Sequence, residues 1–328
     1  MHLLLHGNAA VALAAAIVWG GGDFSGGIAV KAAGGSLRSA FRVILISHTV
    51  SLSILLLLAL THGGPLPSHT TVAWGLTGGL LAALSLAAFY VSLSGGAMGA
   101  AAALSGLLAA AIPAAVSFAT EGLPGTLPLL GFLLAAIAIW LIAATPAASP
   151  EALPGNNAAT PTPLPPSGPL PASGEPALPG PPPADRRTML LATLGGIGFG
   201  LYFVAMKMAG RGGLLWPMTT VRIGSATTCA LLVLATLRTR IAPDQPTAPY
   251  LPRKAVLWAL GPALLDTGGN LLFMASTRMG RLDVASVLAS LYPASTILLA
   301  AWMLHERPTP RQGLGMLTAA AAVLMITL

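Results

Sequence analysis

The chain has 328 residues, of which 55% are hydrophobic and only 8% charged, with a formal net charge of +7 and a mean hydropathy of +0.80. Several apolar stretches approach 20 residues, which excludes a soluble globular domain and implies a polytopic membrane protein. The 16 Lys and Arg fall in short connections between these stretches rather than on one basic face, so they read as topology signals and argue against nucleic acid as a partner.

Ten spans are expected in chain order, at about 9–30, 40–60, 72–93, 98–119, 124–144, 188–209, 215–237, 255–276, 283–303 and 310–328. All are read as α-helices, because a bilayer offers the backbone no water and the spans are too long and uniformly apolar for a β-barrel. The first could be taken for a signal peptide. It lacks a Lys or Arg n-region and its apolar run continues past Trp19 to Val30, so a retained helix is expected.

An ionisable group at the centre of such a helix costs about 2.5–3.5 kcal/mol, so each one asks for a reason. In the first span Asp23 shares a face with Trp19 and Gly27. It reads either as a group that binds a cation or carries a proton, or as an Asp bonded to its own glycine-rich helix. Arg42 in the second span and Arg222 in the seventh are expected to snorkel or cap carbonyls, with a gate or substrate clamp as the alternative. His48 has no counterpart in the second half and reads as a packing residue, with a proton-linked role as the alternative. Tyr90 and Tyr202 are wall aromatics or core. In the eighth span Asp266, Asn270, Phe273 and Thr277 form a polar stripe containing one aromatic, read as cavity lining or as an interhelical network. Ser286, Ser290 and Pro293 share a face of the ninth, with Tyr292 just off it, and Pro293 frees a carbonyl at membrane depth. The pairs Gly22/Gly26 and Gly196/Gly200 have the spacing that lets helices approach closely.

Residues 145 to 187 hold 14 of the chain's 28 prolines, mixed with Gly, Ser, Ala and Asn. They read as an extended linker, since proline lacks the amide proton of a helix and little here can be buried. The expected organisation is 1–144, a five-helix unit; 145–187, a disordered linker; and 188–328, a second five-helix unit. Offsetting the halves by about 180 residues aligns Trp19-Gly20 with Phe199-Gly200, Arg42 with Arg222, and the acidic turn at Glu121 with that at Glu306. A duplicated unit with an odd number of helices enters the membrane from opposite sides in its two copies. The fold class is therefore all-α, with ten transmembrane helices as two inverted five-helix repeats, an architecture of alternating-access transporters.

With "WGGGDFSGGIAVK" in the first span, an Arg early in the second and seventh, and "SVLASLYPASTILLAAWMLHERPTPRQGLGM" near the end, both halves resemble the EamA-like branch of the drug/metabolite transporter superfamily. The first-half copy is imperfect, since Pro293 precedes Glu306 by 13 residues but Pro113 precedes Glu121 by only 8. The resemblance implies export or exchange of a small metabolite through a central cavity lined by helices 1 to 4 and 6 to 9, and does not name the substrate; export of an amino acid or related solute is the expected activity. Uptake of a sugar or other neutral solute is the alternative.

The substrate or coupling candidates are thus Trp19, Asp23, Tyr90, Tyr202, Asp266, Asn270, Ser290 and Tyr292, and the gating or topology candidates Arg42, His48 and Arg222. The expected partners are a small-molecule substrate, the lipid bilayer and protons as coupling ion; a homodimer is compatible with the plan. No enzyme, cofactor or metal is expected. The lone Cys229 allows no thiolate cluster, and His305-Glu306 lacks a second His at the metal-binding spacing. Gly20-Gly21-Gly22-Asp23 and Asp266-Thr267-Gly268 invite an intramembrane aspartyl protease, but that chemistry needs a carboxyl dyad sharing a proton and leaves the duplication unexplained. A channel or scaffold is the third class. An integral, multi-pass location is expected, the cell (inner) membrane for a bacterial protein. Both termini should share a side; the Lys/Arg bias puts them outside, whereas the family resemblance implies the cytoplasm.

Overall fold

The computed structural model describes residues 2–34, 37–93, 98–143, 186–238, 251–303 and 309–327. Residues 145–185 of the expected linker, the turn at Glu306 and the side chain of Tyr90 lie outside what is described. Every regular element among the described residues is helical: α1 (His2–Ala32), α2 (Leu37–His62), α3 (His69–Leu93), α4 (Met98–Glu121), α5 (Thr126–Ala143), α6 (Arg186–Gly210), α7 (Leu215–Arg238), α8 (Arg253–Met279), α9 (Leu282–Ala289), α10 (Tyr292–Met303) and α11 (Pro310–Thr327). Among the described residues, six stretches are long and apolar enough to cross a bilayer: Gly7–Ala32, Arg38–His62, Leu104–Glu121, Met189–Gly210, Leu215–Ala235 and Arg253–Met279. Their outer faces carry exposed Ile17, Leu57, Leu60, Leu231 and Leu264, an apolar exterior suited to lipid rather than water.

Two expected boundaries move. α6 begins at Arg186, inside the segment read as linker, because nothing after Pro183 breaks a helix. The ninth span, expected as one helix over 283–303, is two. Pro293 has no amide hydrogen to offer the Ala289 carbonyl, and the chain tightens instead, with Leu291 N–H donating to Leu288 O at 3.2 Å and Ala294 N–H to Leu291 O at 3.0 Å.

Helices on either side of the Pro-rich segment interleave. α1 packs chiefly against α8, α3 against α6 and α7, α4 against α6 and α9, α2 against α7, and α5 against α11. Glycines permit these approaches. A Cβ on Gly22 would lie 3.1 Å from the Asp266 backbone nitrogen, and one on Gly196 or Gly200 would press into Ser105, Leu108 and Ile112 of α4 at under 3 Å. The start of α1 and the end of α11 lie toward the same end of the bundle. Asn8 bonds the Arg281 carbonyl, Arg281 reaches the close of α4 at Glu121 and Gly122, and Ile326 packs on Gly131 near the start of α5.

Candidate functional site

Asp266 lies midway along α8, about 20 Å from either end at the helical rise. Its Oδ2 accepts from Arg222 Nη2 of α7 at 2.5 Å and from Asn270 Nδ2 at 3.2 Å. Arg222 also donates to Thr267 Oγ1 at 3.0 Å, and the Tyr202 hydroxyl of α6 donates to Asn270 Oδ1 at 2.9 Å. Five polar side chains from α6, α7 and α8 form one chain of hydrogen bonds in the interior. The Arg222 side chain is 3% exposed and that of Asp266 35%, so the cation is locked in protein while the carboxylate faces open space. Oδ1 of Asp266 accepts no hydrogen bond among the described residues.

Arg222 therefore does not snorkel, as its position in the sequence suggested. A guanidinium with a carboxylate two helical faces away satisfies its charge internally and has no need to reach the surface. His48 of α2 is buried and feels the Arg222 charge, with its Nδ1 unpartnered among the described residues. Arg42 is half-buried on α2.

Asp23 is exposed on α1, next to Gly22, whose close approach to the Asp266 backbone sets this stretch of α1 against α8. One turn before Asp23, Trp19 is buried and stacks on Phe203 of α6, with ring centroids 5.5 Å apart, and leans on Phe273 of α8 at 5.6 Å. Tyr202 tilts against Phe203, and Tyr292 at the α9–α10 break packs on the same cluster. Trp19 Nε1, Arg222 Nε and Ser290 Oγ are buried with no hydrogen-bond partner among the described residues. An apolar hollow of about 290 Å³ between α4 and α5, lined by Ala110, Ala114, Phe118, Phe132 and Ile139 among others, shares no residue with this network.

The geometry thus brings together Trp19, Asp23, Tyr202, Arg222, Asp266 and Asn270. Phe203 and Thr267 belong with them; Phe203 follows Tyr202 in an apolar run and nothing in the sequence singled it out, while Thr267 was noted only within the Asp266-Thr267-Gly268 string. No group of three or more His, Cys, Asp or Glu able to hold a metal occurs among the described residues. What the arrangement can do is bind. It presents an anionic oxygen and an aromatic wall at mid-depth, able to take a cationic or hydrogen-bonding group or a proton.

Residues 186–328 match the family described as the EamA-like transporter family. No curated protein matches the chain. A crystal structure titled simply as that of a protein covers 98% of this chain and 98% of its own, with 15% sequence identity and a TM-score of 0.66. A likeness at that identity speaks for the fold alone. Residues 186–328 are thus similar to the EamA-like transporter family, within a chain that is integral to the membrane and crosses it more than once.

Proposed function

We propose that the protein is a secondary active transporter that moves a small metabolite, an amino acid or related solute, across the membrane by alternating access, with export as its direction and a proton as coupling ion. The observation that carries this reading is the Arg222–Asp266–Asn270–Tyr202 network beside the Trp19 cluster. A charged network at mid-depth is retained against a cost of about 2.5–3.5 kcal/mol per group where it faces a substrate path. Ten transmembrane helices, with α9 and α10 forming one interrupted span, and two inverted repeats are part of the proposal. Reciprocal packing supports it: α1 meets α8 as α3 meets α6, and α4 meets α6 as α1 meets α9 and α10. The five-helix units on either side of the Pro-rich segment would then rock about the network.

The test is counterflow in vesicles reconstituted with the purified protein, first with the amino acid pool and then with sugars, under imposed pH gradients. Asp266→Asn keeps the shape of the side chain and removes its charge. We expect this variant to retain exchange and lose proton-driven accumulation. Accumulation with unchanged pH dependence would assign Asp266 to packing and remove the coupling role. Counterflow of a sugar but of no amino acid would favour the neutral-solute alternative.

A further inference from the structure

At one end of the bundle, polar side chains from five helices close on each other. Lys207 of α6 pairs with Glu121 at the close of α4, and Arg281 of the α8–α9 turn holds Asp283 at 2.6 Å while donating to the carbonyls of Glu121 at 3.2 Å and Gly122 at 2.6 Å. Arg278 of α8 donates to Gly210 O at the close of α6 at 2.5 Å. Asn8 of α1 donates to Arg281 O at 3.2 Å and accepts from Ser276 at 2.5 Å. Terminal carbonyls of α4 and α6, which have no partner in their own helices, are thus capped by arginines from the turn between α8 and α9, where the helix dipoles also favour a cation. At the other end α1 shows Asp23, Gly27 and Lys31 exposed at helical spacing, continuing the face on which Trp19 is buried against α6.

We propose that the turn between α8 and α9, with Arg281 and the Lys207–Glu121 pair, is the latch of a closed gate, and that its release opens the central network to that side of the membrane. The inference rests on the alternating-access reading and adds to it the residues that hold one state shut. Contacts of this kind suit a latch because they are reversible. The partly exposed Lys207–Glu121 pair is of a kind that contributes only about 0–1 kcal/mol, so together with the arginine–carbonyl bonds it can hold the gate shut and still yield to a rocking motion. The buried layer beneath, with Leu282 and Ala285 packed into the Trp19 cluster, is what the latch shields.

The experiment reads access rather than flux. In a Cys229→Ala background, Ala285→Cys places one thiol a turn inside Arg281, at a position with 0% exposure. A membrane-impermeant maleimide added from the latched side should label it slowly. Glu121→Lys and Lys207→Glu should each speed labelling about threefold or more, the loss expected of one such pair. The double charge reversal should return the rate to that of the parent, and Arg281→Gln, which releases three contacts, should be faster than either single variant. Parental rates in the single variants, or a double variant as fast as the singles, overturn the latch. Labelling requires no solute, so an absence of counterflow in vesicles would remove the transporter reading and leave this result standing.

Discussion

Arg222 is locked in the interior while the carboxylate it faces is one-third exposed, and that asymmetry decides which partner the fold can lose. Removing the charge of Asp266 leaves a buried guanidinium without a counter-ion, a loss that reaches about 3–5 kcal/mol for fully buried pairs. Removing Arg222 leaves a carboxylate that open space can solvate. Asp266→Asn should therefore lower the unfolding temperature in detergent more than Arg222→Gln, and the double variant should be more stable than Asp266→Asn alone. A ranking in which Arg222→Gln is the worst would mean that the carboxylate is shielded too. Gly269 gives a second check. A Cβ there would lie 2.5 Å from Trp19 Cδ1 and 2.7 Å from its Nε1, so Gly269→Ala should push the indole off Phe203 at a cost of about 1–3 kcal/mol, read as a shift in tryptophan emission. At this scale Asp266, Asn270 and Trp19 were legible because polar or aromatic side chains at i, i+4 spacing stand out in an apolar helix. The partner of Arg222 was not, since it depends on the register of α7 against α8, which no local pattern encodes.

Among the elements, the break between α9 and α10 follows from one residue. Pro293 withholds the hydrogen that the Ala289 carbonyl would accept. Pro293→Ala restores a donor where helix propensity favours Ala by about 3 kcal/mol. The variant should be as stable as the parent or more so, and its counterflow rate should fall about tenfold, because a continuous helix would not let Ser290 and Tyr292 take their present places beside the Trp19 cluster. Unchanged flux with a straightened helix would make the break incidental. The sequence placed the proline in a span and its freed carbonyl at membrane depth, yet expected one helix. A proline inside a helix either kinks it or ends it, and packing around Tyr292 decides between the two.

For the molecule as a whole, the helices on either side of the Pro-rich segment touch each other far more than they touch their own neighbours in the chain. Replacing residues 150–183 by a Gly/Ser chain of the same length should therefore leave a monodisperse protein with transport near that of the parent, as gel filtration and counterflow would show. Reporters fused to the two termini should be accessible from one and the same side. The helix positions were legible in hydropathy. The interleaving was not, because it is a property of the two halves together.

That interleaving sets a problem of timing during synthesis. At about 5–20 residues per second, the chain is finished only roughly 9–37 s after the first five helices are complete. Through that interval the glycine-lined surfaces that will receive α6, α7 and α8 have only lipid to meet. Any other chain in the same state offers an equivalent surface, so crowded expression should produce strand-exchanged dimers in which each first half is completed by a neighbour's second half. The same reasoning turned around says that two separately translated halves, cut within residues 150–183, should find each other in the bilayer and rebuild one working molecule.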